Sequence, residues 1–325
     1  MRRLVLWGAI TGTIAMVGSA GALTTPGRSQ VRQGPITALA LDRSSIAFVV
    51  GRTAADCEHV ELWNPASKGT WRFGEPGPCT NVGSTGMGIT TVSVSANRVA
   101  WIAYNGGNFR DWLLMTATTT LKTPRQLRWV PRDVEAPGPP PIVLGPGSAA
   151  GIPYAVGSSL VLLRPNGARA FSWPAPARIL SVAAGDGPAG ATVVALLATG
   201  EVDVLAADGS VLDTYGYPAG AVSVIALAPV GALLQVGSSV EIRRGPRALR
   251  KVALPASAGL LDFGERRILY SLGGSVHALH VGTGVDSLLV RGSTARPVLA
   301  ALDPYGLAWA TGGRVNWDCA VCIDF

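Results

Sequence analysis

The sequence predicts an all-β fold, a ring of seven blades with four antiparallel strands each. Three observations carry that expectation. Glycine (41) and proline (23) make up close to one residue in five of the 325, which excludes a helical bundle or coiled coil. Hydrophobic residues reach 48% while charged residues are only 14%, against about 25% charge in ordinary globular proteins, so the chain has ample core and is not disordered. A strand–turn–strand unit also recurs along the chain, and four-stranded repeats of about 40–50 residues are the sequence signature of a β-propeller.

The recurring unit is an apolar run, a turn of Asp, Pro, Gly or Ser, and a second apolar run closed by Gly or Asn. It appears at 36–52 (ITALALDRSSIAFVVGR), 90–105 (TTVSVSANRVAWIAYN), 141–159, 178–200, 222–239, 259–274 and 296–313 (RPVLAALDPYGLAWATGG). The second strands start near Ser45, Asn97, Gly151, Ala191, Gly231, Glu265 and Tyr305, spaced by 52, 54, 40, 40, 34 and 40 residues. Between the units lie further strand pairs whose mid-points carry Asn166-Gly167, Asp208-Gly209, Gly245-Pro246 and Thr283-Gly284. Such residues tolerate the positive φ that tight hairpins require. Each repeat therefore reads as strands A, B, C and D. A six-bladed ring that omits the Pro-rich third unit, and a pair of β-sandwiches, are the alternatives.

The A–B turns, such as LAALDPYGLAWA at 299–310, and C–D hairpins such as VHALHVGTGVDSLLV from Val276 resemble the broad propeller-repeat superfamily of Tol-type, NHL-like and WD-repeat proteins. The resemblance covers about 290 residues and implies the fold. It is a rhythm without a diagnostic motif: the Trp-Asp pair that ends strand C in WD repeats is missing from every unit, and Trp317-Asp318 stands at the chain end. No family activity carries over. The last unit holds A, B and a third strand at 314–317, so a fourth is expected from 29–34, closing the ring between the two ends and removing a free edge.

Residues 1–22 read as an export signal, leaving 23–325 as one propeller domain. Arg2 and Arg3 precede an uncharged run from Leu4 to Val17, and Ala20-Gly21-Ala22 is a small-residue cleavage pattern. An uncleaved anchor is the competing reading, since Leu4 to Leu23 has spanning length. Beyond the leader, 136–163 and 214–240 are long and uncharged. Their prolines and glycines break any spanning helix, so no later membrane span is expected.

Four cysteines fit an oxidising, extracytoplasmic compartment. The local pairing, Cys57–Cys79 and Cys319–Cys322, is expected among the three possible connectivities. A redox or zinc role for Cys319-x-x-Cys322 is the lesser reading, because the motif ends the chain after a strand instead of opening a helix. The net charge is +7. Its densest basic stretch (Arg243, Arg244, Arg247, Arg250, Lys251) reads as a solvated strand edge and turn. The remaining bases are spread along the chain, which does not indicate a nucleic-acid partner.

The long connections are B–C in blades 1 and 2 and D–A after blades 1 and 2, all on one face. There Tyr104, Asn105, Asn108, Phe109, Arg110, Asp111 and Trp112 bring aromatics, amides and charges together, a mixture that suits a protein, peptide or glycan ligand. Catalytic signals are weak. His277 and His280 lie at odd spacing on one strand and face opposite ways; His59 sits beside Cys57. Asp42, Asp262 and Asp303 fall at A–B turns, where Asp caps its own backbone. No nucleophile elbow, Walker loop, His-Glu-x-x-His or EF-hand occurs. The expectation is an exported, non-catalytic binding scaffold without metal or cofactor. Two alternatives stand beside it: a hydrolase or lyase acting on glycan or peptide in the central channel, and a cell-surface structural protein held by an uncleaved N-terminal helix.

Overall fold

A computed structural model describes residues 27–79, 86–106, 110–131, 140–245, 247–264, 267–303 and 305–319. The expected leader, residues 1–22, lies outside them. Seven four-stranded antiparallel sheets form a ring. Six blades are continuous in sequence, spanning 36–73, 87–130, 142–174, 179–216, 222–253 and 259–290. The seventh takes strands A to C from Leu299–Asp303, Gly306–Thr311 and Arg314–Cys319, and its outer strand from Arg28–Val31. Each inner strand lies against the inner strands of both neighbours, all the way round. The Pro-rich third unit is a blade. Its inner strand is cut to Ile142–Leu144 between Pro141 and Pro146, because proline cannot donate to a ladder.

The apolar residues divide into seven clusters, each formed where two neighbouring blades meet. Strand B of blade 1, Ser45–Val50, shows how. Ile46, Phe48 and Val50 pack toward blade 7, whereas Ala47 and Val49 pack toward blade 2. Side chains alternate between sheet faces, and both faces are covered, so the strand reads as one unbroken apolar run. In blade 2, Val99 and Trp101 face blade 1 while Ala100 and Ile102 face blade 3. Strand D breaks the rule because it faces solvent: Arg125–Val130 exposes Arg125, Arg128 and Trp129.

Glycine follows inner strand A where neighbouring blades converge on the channel. A Cβ at Gly145 would strike the Val182 carbonyl of blade 4, and one at Gly185 the Leu227 carbonyl of blade 5. Close backbone approach excludes any side chain there.

The ring closes as the terminal segments predict. Arg28 pairs with Trp317 and Val31 with Arg314. The Arg32 and Ile36 amides then donate to the Gly313 and Gly312 carbonyls at 2.7 Å each. At roughly 1 kcal/mol per hydrogen bond, this strand is worth several kcal/mol. A chain lacking residues 27–32 should melt at least ~8 °C lower by calorimetry, at about 2–4 °C per kcal/mol. An unchanged Tm would show that the seam does not hold the ring.

Candidate functional site

On the face of the B–C and D–A connections, blade 1 carries a stapled loop. Cys57 and Cys79 are joined, with Cα atoms 4.8 Å apart, and the Cys57 amide donates to the Gly77 carbonyl at 2.8 Å. Asp56 receives both terminal nitrogens of Arg72 (2.6 and 2.7 Å) and the Gly77 amide (3.1 Å). The Arg72 hydrogen bonds hold its carboxyl down to about 2.

His59, only 3% exposed, continues this network. Its Nδ1 lies 2.8 Å from the Cys57 carbonyl and its Nε2 lies 3.2 Å from Glu61 Oε1. Arg32 Nε donates to the other Glu61 oxygen at 2.7 Å. Burial pushes the Glu61 carboxyl up, but the His59 and Arg32 hydrogen bonds outweigh it and leave the group below its ordinary value. Arg32 follows directly after the closing strand, so a buried ion pair ties the seam to blade 1. These groups border a cleft of about 200 Å³. Glu58 reaches the other way and accepts the Ile89 amide of blade 2 at 2.6 Å.

Beside this loop stand the residues singled out in blade 2. Tyr104 and Trp112 face each other across strands B and C, as do Asn105 and Asp111. Trp112 is buried in the core between blades 2 and 3. Tyr104 is half-buried, its ring 5.6 Å from that of Trp112 and lying over Gly88. The Arg110 guanidinium sits 4.3 Å above the Tyr104 ring, a cation–π arrangement. Asn105 and Arg110 are exposed. Asn108 and Phe109 lie outside the described residues. Trp112 therefore supports the platform from beneath, and Tyr104 with Arg110 presents it.

The sequence reading missed Arg32, Asp56, Glu61 and Arg72. One signal was available: His59 and Glu61 are two apart, and on a strand that places them on one face. Cys319 is disulfide-bonded; its expected partner, Cys322, lies outside the described residues. His280 caps its own turn, its Nδ1 accepting the Gly282 and Thr283 amides. The His277 ring stacks on Tyr270 at 5.2 Å.

At the opposite mouth of the channel, the A–B turns surround a cleft of about 160 Å³ that includes Asp42, Asp186, Asp262 and Asp303. Burial raises Asp42 and Asp303 above their ordinary values and pushes Asp262 up to about 7. These carboxylates cap backbone, as expected for turn Asp, but they also reach across blades. Asp303 accepts the Tyr305 and Gly306 amides of its own turn and faces the Arg43 and Ser44 amides of blade 1. Asp42 accepts the Ala96 amide of blade 2 at 2.6 Å, and Asp262 the Leu302 amide of blade 7 at 2.8 Å. Among the described residues, no group of three or more His, Cys, Asp or Glu side chains is placed to hold a metal.

Two measurements follow. The folded state binds a proton at Asp262 between the ordinary carboxyl value, about 3.9, and about 7, while the unfolded chain does not, so stability falls as pH rises through that window. The urea midpoint should be lower at pH 8 than at pH 5, and Asp262→Asn should shrink the difference; an identical difference in the variant would show that this carboxyl is not responsible. Replacing Cys57 and Cys79 together by Ser releases a 22-residue loop, worth roughly 3 kcal/mol. The Tm should fall by about 6–12 °C with the strand signal in far-UV circular dichroism retained.

No protein-family model matches the chain, and no curated protein does. Solved structures do. One is the crystal structure of Chaetomium thermophilum Raptor, with a TM-score of 0.55 at 11% identity over 90% of this chain; the chain spans 29% of that protein's length. Another is a chain of the mitotic checkpoint complex, with a TM-score of 0.57 at 14% identity, covering 98% of this chain and 99% of that one. At such identities the likeness is one of fold, and the chain is a seven-bladed β-propeller.

Proposed function

We propose that the protein is an exported binding scaffold without catalytic activity, which takes a protein, peptide or glycan ligand on the B–C and D–A face of blades 1 to 3. The supporting observation is the Tyr104–Arg110 platform, seated on buried Trp112 beside a loop stapled by Cys57–Cys79. A rigid aromatic and a guanidinium over a packed base are the side chains that carry binding energy in interfaces. Propellers of like fold occur in the Raptor and mitotic checkpoint structures, which is compatible with a scaffold role. Export is supported by the leader pattern and by the disulfides. No helix among the described residues is long and apolar enough to cross a membrane.

The channel-mouth carboxylates favour a second reading, a hydrolase or lyase using Asp262 and Asp303 as an acid–base pair. Groups with raised values in a cleft are candidates for such work. The scaffold reading stands ahead of it because Asp262 is engaged by the Leu302 amide of blade 7 and Asp303 by two amides of its own turn.

The test is recovery of envelope components by the mature protein and by a variant carrying Asn105→Ala and Arg110→Ala, both exposed positions that leave the core intact. Components bound by the native protein should be depleted at least ~5-fold with the variant, since truncating a central interface residue commonly costs more than 1 kcal/mol. Equal recovery by both would remove this face. Mass spectrometry of the native protein should return Leu23 as its first residue; an intact leader would instead mark an anchored protein.

A further inference from the structure

Arg98 is the first residue of strand B in blade 2 and is only 7% exposed. Its Nε donates to the Pro165 carbonyl of blade 3 at 2.8 Å, and its Nη1 to Thr116 Oγ1 at 3.1 Å. Nη2 has no hydrogen-bond partner among the described residues. It lies against Gly167, whose missing Cβ would sit 2.7 Å away. The other arginines that thread the blades are neutralised: Arg32 faces Glu61, Arg72 faces Asp56 and Arg243 faces Glu241. Arg98 faces no carboxylate among the described residues. Burial lowers its proton affinity, and the charge of a second arginine, Arg125, lowers it further. An uncompensated charge removed from water costs several kcal/mol.

The surroundings share this bias. A cleft of about 140 Å³ opens between the C–D turns of blades 2 and 3, lined by Arg98, Arg125, Thr116, Thr118, Thr123 and Asn166. That is room for several waters at ~30 Å³ each, or for one tetrahedral oxyanion. Around it Lys122, Arg128, Arg164 and Arg169 are exposed. From Trp112 to Gly185 the sequence contains only two acids, Asp133 and Glu135, and both lie outside the described residues. The basic excess is therefore not evenly scattered. Besides the stretch at 243–251 in blade 5, it is gathered on blades 2 and 3 around a buried guanidinium that faces no carboxylate among the described residues.

We propose that this cleft binds a phosphate or sulfate group, with Arg98 at its floor, Arg125 at its rim, and the Thr123 hydroxyl and the Asn166 amide completing the donor set. Guanidinium is the side chain best matched to such oxyanions, because its planar fork of donors meets two oxygens at once. The site is on the face opposite the Tyr104–Arg110 platform and is independent of the scaffold reading.

Calorimetric titration of the full mature protein with inorganic phosphate and with sulfate, at low ionic strength, tests this. The expected result is saturable binding of one anion per chain. Arg125→Gln, an exposed change that leaves the fold intact, should weaken it on the order of tenfold, the loss expected of a charge-assisted hydrogen bond. Arg98→Lys, which keeps the charge and loses the fork, should also weaken it. Arg291→Gln, an exposed base in blade 6, should leave it unchanged. Glycerol phosphate binding more tightly than inorganic phosphate would assign the group to a larger ligand, and equal binding would assign it to the free ion; either keeps the site. Non-saturable uptake, equal affinity in Arg125→Gln, or displacement by chloride at equal concentration would overturn it.

Discussion

Every blade in this molecule needs a neighbour on both sides. Strand B of blade 1 sends Phe48 toward blade 7 and Val49 toward blade 2, and neither face is dry unless both neighbours are present. A single blade would leave an apolar sheet face in water. The ring is the arrangement in which no blade lacks a partner, so seven separate cores act as one. That mutual burial accounts for the composition. Strand B has no solvent-facing side on which to place charge, and the turns between strands take the glycine, proline and serine. It also fixes the inner geometry: with blades pressed face to face, the ends of their inner strands meet near the channel, where Gly145 and Gly185 let one backbone touch the next.

The architecture was legible because it is written in local signals that repeat. Apolar runs on either side of Asp-Pro, Asp-Gly or Asn-Gly turns place strands to within a residue or two. The expected starts of strand B at Ser45, Ala191 and Gly231 coincide with those observed. The closing strand was legible for a different reason: the last unit was one strand short and the first had one to spare. The electrostatic network was not legible. Arg32 meets Glu61 from 29 positions away, and Arg98 meets the Pro165 carbonyl from 67; no local pattern encodes which turn of one blade faces which turn of the next. Trp112 lay between these cases. Its place beside a loop suggested a surface role, yet the alternation of strand C turns it into the core while Asp111 points the other way.

Buried charge is handled in three ways. Arg32, Arg72 and Arg243 are matched with carboxylates. Asp42 and Asp262 are matched with backbone amides of the following blade, so desolvation that raises their proton affinity is offset by contacts that join blades. Arg98 is matched with neutral acceptors alone. The Arg32–Glu61 pair lies at the seam and the aspartates lie around the channel, where blades must be registered against each other. The third lies at the periphery, between two C–D turns that the ring does not need for closure.

The seam also sets an order of events. Arg28 pairs with Trp317, roughly 290 residues later in the chain, and contacts so distant in sequence close slowly because the intervening loop must first be organised. The closing strand is among the earliest parts of the domain to be synthesised and the last to find its partner. Until blade 7 is made, it remains an unpaired edge at the front of the growing chain. A polypeptide crossing a membrane from its N-terminus would therefore deliver its fastening first and its lock last, and the ring would become topologically complete only after almost the whole domain had emerged on the far side.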